Sequence, residues 1–325
     1  MSRSRGVAMA LGGLLAIAMP AAAIDDNAGT GGASFLKMGS GSARAMALGR
    51  AYCAIAEGAE SLTWNPAGLA LTQQREGAYS YLRYIQGVDA PLHLAYAHPL
   101  GRTVFGANVV YMNVGEFDAR QVDGRPDPSQ NVEVRNGYGT ISMARSFMYE
   151  KLFVGGSLKT VFEDNAGNRH SNIVGDLGVI LKPNQTISFG FTTQNFGSSQ
   201  SQVGRMTRIG GALRVLELLQ LSMDLNKASD SAARLGLGAE FTLPEDLLEV
   251  GQISLRVGYY NADDQGRLLE GDRHMLYPLV GAQGLSFGLG VFSAQAFGYG
   301  ISFDYALVPM GALGTVDQLT VKVKF

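Results

Sequence analysis

From about residue 75 to its end, this chain repeats with a period of two. Leu92, Leu94 and Tyr96 alternate with His93, Ala95 and Ala97. Ile187, Phe189 and Phe191 alternate with Ser188, Gly190 and Thr192, and Leu219, Leu221, Met223 and Leu225 with Gln220, Ser222, Asp224 and Asn226. Successive side chains of a strand point to opposite faces, so each window has one greasy and one polar face. The last residues, Leu319 to Phe325, keep the pattern: Leu319, Val321, Val323 and Phe325 against Thr320, Lys322 and Lys324. Such a strand is a sticky edge in a soluble protein and the closing strand of a membrane barrel. A soluble sandwich also ends on a half-buried strand, so the terminal residues alone leave both open.

Fourteen segments follow the pattern: 75–86, 90–98, 102–114, 135–147, 151–163, 172–182, 185–194, 205–214, 217–226, 231–242, 250–260, 284–293, 297–307 and 317–325. Their length, about ten residues, is what a tilted strand needs to cross a bilayer. The longest connections, 115–134 and 261–283, follow odd-numbered segments, whereas those after even-numbered segments are short. A barrel with short turns on one rim and longer loops on the other sorts its connections this way; a sandwich has no reason to. The polar faces carry Lys159, Glu163, Asp176, Arg208, Arg214, Asp224, Arg234, Glu240, Arg256 and Asp304. Pointing inward they are tolerated; on the lipid face a mid-membrane Arg or Lys costs about 2–4 kcal/mol. Composition agrees: charged residues are 17% and glycines number 43 of 325, whereas soluble domains carry about 25% charge and about 7% glycine. A net charge of −2 gives no sign of a nucleic-acid partner.

The expected fold is an all-β transmembrane barrel of about 14 antiparallel strands over residues 75–325, with a small amino-terminal plug over 24–74. Residues 1–23 read as a secretory leader. Arg3 and Arg5 precede an apolar core, and Ala21-Ala22-Ala23 offers a cleavage site, so the expected destination is the bacterial outer membrane. An uncleaved anchor is the alternative. Within the plug, Ser42 to Ala56 suits a short helix. Trp64-Asn65-Pro66-Ala67-Gly68-Leu69 reads as a turn entering a helical turn, with Asn65 as N-cap and Pro66 in first position. Replacing Asn65 by alanine is expected to remove about 1 kcal/mol. Trp64, the only tryptophan, holds either an ordinary packed subdomain or a plug within the barrel.

Little here reads as catalytic, and no enzyme, cofactor or metal is expected. His93, His98, His170 and His274 lack metal-ligand spacing, and His98, before Pro99, reads as a turn residue. Cys53 is alone, with no base placed beside it. Asn261 to Asp272 loosely mimics a calcium loop but ends on Asp where Glu is needed, so a solvated loop is the better reading.

Phe35-Leu36-Lys37-Met38-Gly39, then Ser42 to Tyr52 and Trp64 to Ala70, resemble the amino-terminal signature of PorV/PorQ-type outer-membrane proteins. Phe303 to Gly314, followed by a last strand ending on Phe325, resembles that family's end. The family is similar to the FadL fatty-acid transporters, which have a fourteen-stranded barrel and a hatch with an NPAG-like motif. The resemblance implies that residues about 35–72 form a hatch, with Trp64, Asn65, Pro66 and Gly68 as structural residues of it that border a gate if the barrel is a conduit. It implies outer-membrane lipid around the barrel and engagement of the barrel-assembly machinery through the strand ending in Phe325. Two functions follow from it. One is binding and handing over secreted cargo or a translocon protein, as in type IX secretion, with loops 115–134 and 261–283 gripping the partner. The other is passive passage of a hydrophobic ligand past the hatch.

Overall fold

The computed structural model describes residues 27, 29–39, 41–83, 91–120, 123–215, 218–244, 251–261, 284–296, 298–309 and 315–325. The leader 1–23 and all but the first residue of loop 261–283, with the calcium-loop mimic, lie outside the described residues.

Fourteen antiparallel strands form one closed barrel, each bonded to its neighbours in sequence. They are β1 (Glu76–Arg83), β2 (Leu92–Leu100), β3 (Thr103–Arg120), β4 (Pro126–Phe147), β5 (Leu152–Asn165), β6 (Asn168–Leu181) and β7 (Ile187–Phe196). The circuit continues with β8 (Met206–Val215), β9 (Leu219–Ala228), β10 (Arg234–Leu243), β11 (Gln252–Tyr260), β12 (Leu285–Ala296), β13 (Tyr299–Pro309) and β14 (Thr315–Lys324). The carboxy-terminal strand closes the ring on β1, from Glu76 opposite Lys324 to Arg83 opposite Asp317. Closure leaves no sheet edge, the condition for β-structure in lipid.

The greasy faces point outward. Leu94, Val109, Ile141, Ile173, Leu255 and Phe303 are exposed, while their sequence neighbours Ala95, Asn108, Thr140, Val174, Ser254 and Asp304 are buried. Exposed large apolar residues recur around the circumference, a belt that suits hydrocarbon and not water.

Three local expectations are corrected. Residues 115–134 are not a long loop, because β3 and β4 run through most of the stretch and still pair at Phe117–Val132 and Arg120–Pro126. Residues such as Glu116, Asp118 and Asn131 hide the strand from an apolar pattern, yet the backbone ladder needs no greasy side chain. His98 is not in a turn: it sits in β2, where the Tyr96 hydroxyl lies 3.0 Å from its Nδ1. Of Ser42 to Ala56, only Ala43–Ala47 (α1) is α-helical. Gly49 and Arg50 take φ of 59° and 61°, which ends the helix.

Candidate functional site

Residues 42–72 fill the bore. They fold as α1 and two 3-10 turns, η1 (Ala59–Thr63) and η2 (Pro66–Leu71), after an earlier turn at Ser34–Met38. Small residues dominate, so the backbone packs without bulk: Ala43, Ala45, Ala47, Ala51, Ala56 and Ala67 are all fully buried. α1 packs on β11 to β14, η1 on β1 to β3 and η2 on β3 to β6, so plug contacts run round most of the wall. Inward-facing glycines permit the approach. A Cβ at Gly155 would stand 2.4 Å from the Pro66 carbonyl, one at Gly190 2.4 Å from the Cys53 carbonyl, and one at Gly258 2.0 Å from the Gly49 nitrogen. Gly155, Gly178, Gly190, Gly236, Gly238 and Gly258 are thus wall glycines set against plug backbone.

Polar wall residues hold the plug by its backbone and by its few charges. The Asp224 carboxylate accepts from the Tyr52 and Cys53 N–H groups at 2.8 and 2.7 Å. Glu76 accepts from Ala59 at 2.8 Å and Thr320 from Ala43 at 2.9 Å, while the Ser286 hydroxyl accepts from Gly49 and donates to the Ala47 carbonyl. A chain of buried ion pairs crosses the bore. Arg44 of α1 meets Glu240 at 2.7 Å, Arg256 meets Glu240 at 2.8 Å and Asp304 at 2.6 Å, and Lys322 meets Asp304 at 3.4 Å and Glu60 of η1 at 2.7 Å. The expected lumen charges Glu240, Arg256 and Asp304 thus lie packed beneath the plug. A lumen filled with polypeptide makes such pairing obligatory, because an unpaired buried ion is strongly destabilising.

The motif residues sit at the centre of the plug. Asn65 is fully buried; its Oδ1 accepts from Ala67 N–H at 3.1 Å and caps η2. Its Nδ2 donates to the Cys53 carbonyl at 2.9 Å and reaches the Val179 and Phe191 carbonyls of the wall at 3.3 and 3.5 Å. Pro66 occupies the first turn of η2, and a side chain at Gly68 would strike the Ala56 carbonyl at 2.3 Å. Trp64 packs edge-on against Tyr52 with ring centroids 6.1 Å apart, and the Arg208 guanidinium lies 5.1 Å from its ring. Arg44, Tyr52, Glu60 and Asp224 were not singled out from the sequence as plug anchors. The available signal was four charges, Arg44, Arg50, Glu57 and Glu60, inside a run of small apolar residues.

Beside Trp64 a cavity of about 270 Å³ separates the plug from β8 to β11, and Arg50, Arg208, Asn226 and Tyr260 are among its lining residues. A void of about 20 Å³ lies on the other side, against Tyr138, Lys159 and Asn195.

Cys53 is fully buried, and burial pushes its thiol well above the ordinary range. Only the thiolate reacts, so the folded protein is expected to resist maleimide and to label fully after denaturation. As the sole cysteine, it reports plug displacement without background. Rapid labelling of the intact barrel would show that the plug is not seated as described.

No protein-family model and no curated protein matches the chain. Solved structures do. The toluene transporter TbuX of Ralstonia pickettii is similar with a TM-score of 0.57 and 15% identity, covering 86% of this chain and 96% of that one. The monoaromatic hydrocarbon channel CymD gives 0.53 and 12%, covering 86% and 96%. The toluene transporter TodX of Pseudomonas putida gives 0.51 and 10%, covering 85% and 96%. At these identities the likeness is one of fold alone, the closed fourteen-stranded barrel described above. The matches give the PorV/PorQ resemblance, and secretion with it, no support.

Proposed function

We propose that the chain is an outer-membrane barrel through which small hydrophobic molecules pass passively, with residues 24–74 as the hatch. Residues 75–325 form the barrel and residues 1–23 a leader cleaved after Ala23. One observation carries the reading: the bore is filled by a segment tied to the wall by hydrogen bonds and ion pairs, none of them covalent. Such a segment seals the bore at rest and is free to rearrange. Trp64, Asn65 and Pro66 lie where it meets β5 to β8, Gly68 packs against Ala56 within it, and in this reading all four border the gate. The toluene transporters and the hydrocarbon channel named above, which are not enzymes, share the barrel and supply the solute class. Cargo hand-over is favoured by no observation, and the loop expected to grip a partner at 115–134 is mostly β-hairpin.

The test uses whole cells, because a lipopolysaccharide leaflet slows apolar solutes more than a phospholipid vesicle does. Cells displaying this chain are expected to take up labelled toluene severalfold faster than cells displaying an unrelated barrel in equal amount. Equal rates would overturn the reading.

A further inference from the structure

We propose that the cavity beside Trp64 is a binding site for a small aromatic carboxylate. A path for neutral hydrocarbon needs no charge, yet four cations line this cavity (Lys37, Arg50, Arg208 and Arg234) and one carboxylate, Asp230. One oxygen of Asp230 is engaged by Lys37, and the other is buried with no hydrogen-bond partner among the described residues. Arg50 ion-pairs with no described carboxylate: one Nη donates to the Lys37 carbonyl at 3.1 Å, and the guanidinium lies 4.8 Å from the Tyr260 ring. Arg208 donates to the Trp64 carbonyl at 3.4 Å and to the neutral Gln194. Asp224, on β9, holds the Tyr52 and Cys53 amides with one oxygen. Arg208 is buried and Arg50 half-buried, and a desolvated cation without a bonded anion calls for an acceptor.

A second observation points the same way. The indole N–H of Trp64 and the side-chain amide of Asn226 line the cavity, are buried, and have no hydrogen-bond partner among the described residues. Buried polar groups are ordinarily satisfied, so their convergence here marks a place for a polar ligand atom. Trp64, Met206, Ala228 and Tyr260 supply apolar and aromatic surface beside these groups. At interior packing density, 270 Å³ accepts about 200 Å³ of atoms. A single ring with its carboxylate fits, and an extended long acyl chain does not. The site goes beyond the transport reading by adding an anionic aromatic ligand to the neutral solutes proposed there, and binding is measurable without transport.

The test titrates benzoate, toluene and inorganic phosphate into the full chain in detergent micelles, by calorimetry and by emission of the sole tryptophan. Benzoate is expected to bind saturably at one site and to change Trp64 emission. Arg50→Gln and Lys37→Met are expected to weaken it about tenfold each, as loss of a charge-assisted bond does, while Arg50→Lys keeps most of the affinity. Toluene binding as tightly as benzoate would overturn the anionic class, and phosphate doing so would overturn the aromatic one. Absence of saturable benzoate binding, or an Arg50→Gln variant that binds like the parent, would overturn the site itself. Toluene uptake by cells is scored separately, so a failed transport reading leaves a positive binding result intact.

Discussion

Replacing Arg256 by methionine unseats the plug and raises the alkylation rate of Cys53 on the order of 100-fold, the factor that corresponds to about 3 kcal/mol. Arg256 bridges two buried carboxylates, Glu240 at 2.8 Å and Asp304 at 2.6 Å, with its own side chain 5% exposed. Methionine matches the length of the stem but carries no charge. Glu240 is then left with Arg44, and Asp304 with Lys322 at 3.4 Å and the Ser302 hydroxyl at 3.0 Å. Breaking a buried ion pair from one side costs about 3–5 kcal/mol, because the surviving ion stays desolvated. The barrel ladder does not depend on these side chains. The plug does, since Arg44 and Glu60 are its two ends of the charge chain. The loss therefore falls on docking and not on closure of the sheet. Arg256→Met with Asp304→Asn removes one under-compensated charge and is expected to recover part of the loss, since members of one network do not add. A variant that migrates as a folded barrel yet labels at the parent rate would show that the ion chain does not hold the plug.

The architecture was legible because lipid imposes a rule on every strand. Outward positions must be apolar, so Leu94, Phe191, Leu255 and Phe303 print their period in the letters wherever the strand crosses the bilayer. Where β3 and β4 leave that belt the rule lapses. Glu116, Asp118 and Asn131 then read as loop although the backbone ladder continues. The site was legible only locally. Asn65 before Pro66 announces a capped turn, since capping depends on neighbours in sequence. Partners far along the chain do not print. Nothing near Asp224 shows that it accepts from Tyr52 and Cys53, more than 170 positions away. Inward glycines such as Gly155 and Gly258 look like ordinary strand glycines until plug backbone is seen against them.

Asn65 is expected to be worth more than its cap, and the order of its variants tests how the plug is attached. A cap alone accounts for about 1 kcal/mol. Here the same side chain also donates to the Cys53 carbonyl at 2.9 Å and lies within reach of Val179 and Phe191 carbonyls in β6 and β7. Alanine removes the cap and leaves a buried carbonyl without its donor, a loss of about 2–4 kcal/mol in all. Aspartate keeps an acceptor for the Ala67 N–H but turns a second oxygen toward those carbonyls. Buried in a water-poor bore, that repulsion makes Asn65→Asp worse than Asn65→Ala, although aspartate is as good a cap on an isolated helix. Approach from the wall gives an independent check: a Cβ at Gly178 would stand 2.0 Å from Asn65 Oδ1, so Gly178→Ala should perturb the same contact from outside the plug. Hydrogen exchange of amides in 59–72, with β4 and β5 as the internal reference, reads the result. Protection should fall from parent to Asn65→Ala to Asn65→Asp while the reference strands stay protected. If aspartate protects as well as asparagine, the side chain serves as a cap only, and the plug is held to β6 and β7 by packing rather than by Asn65.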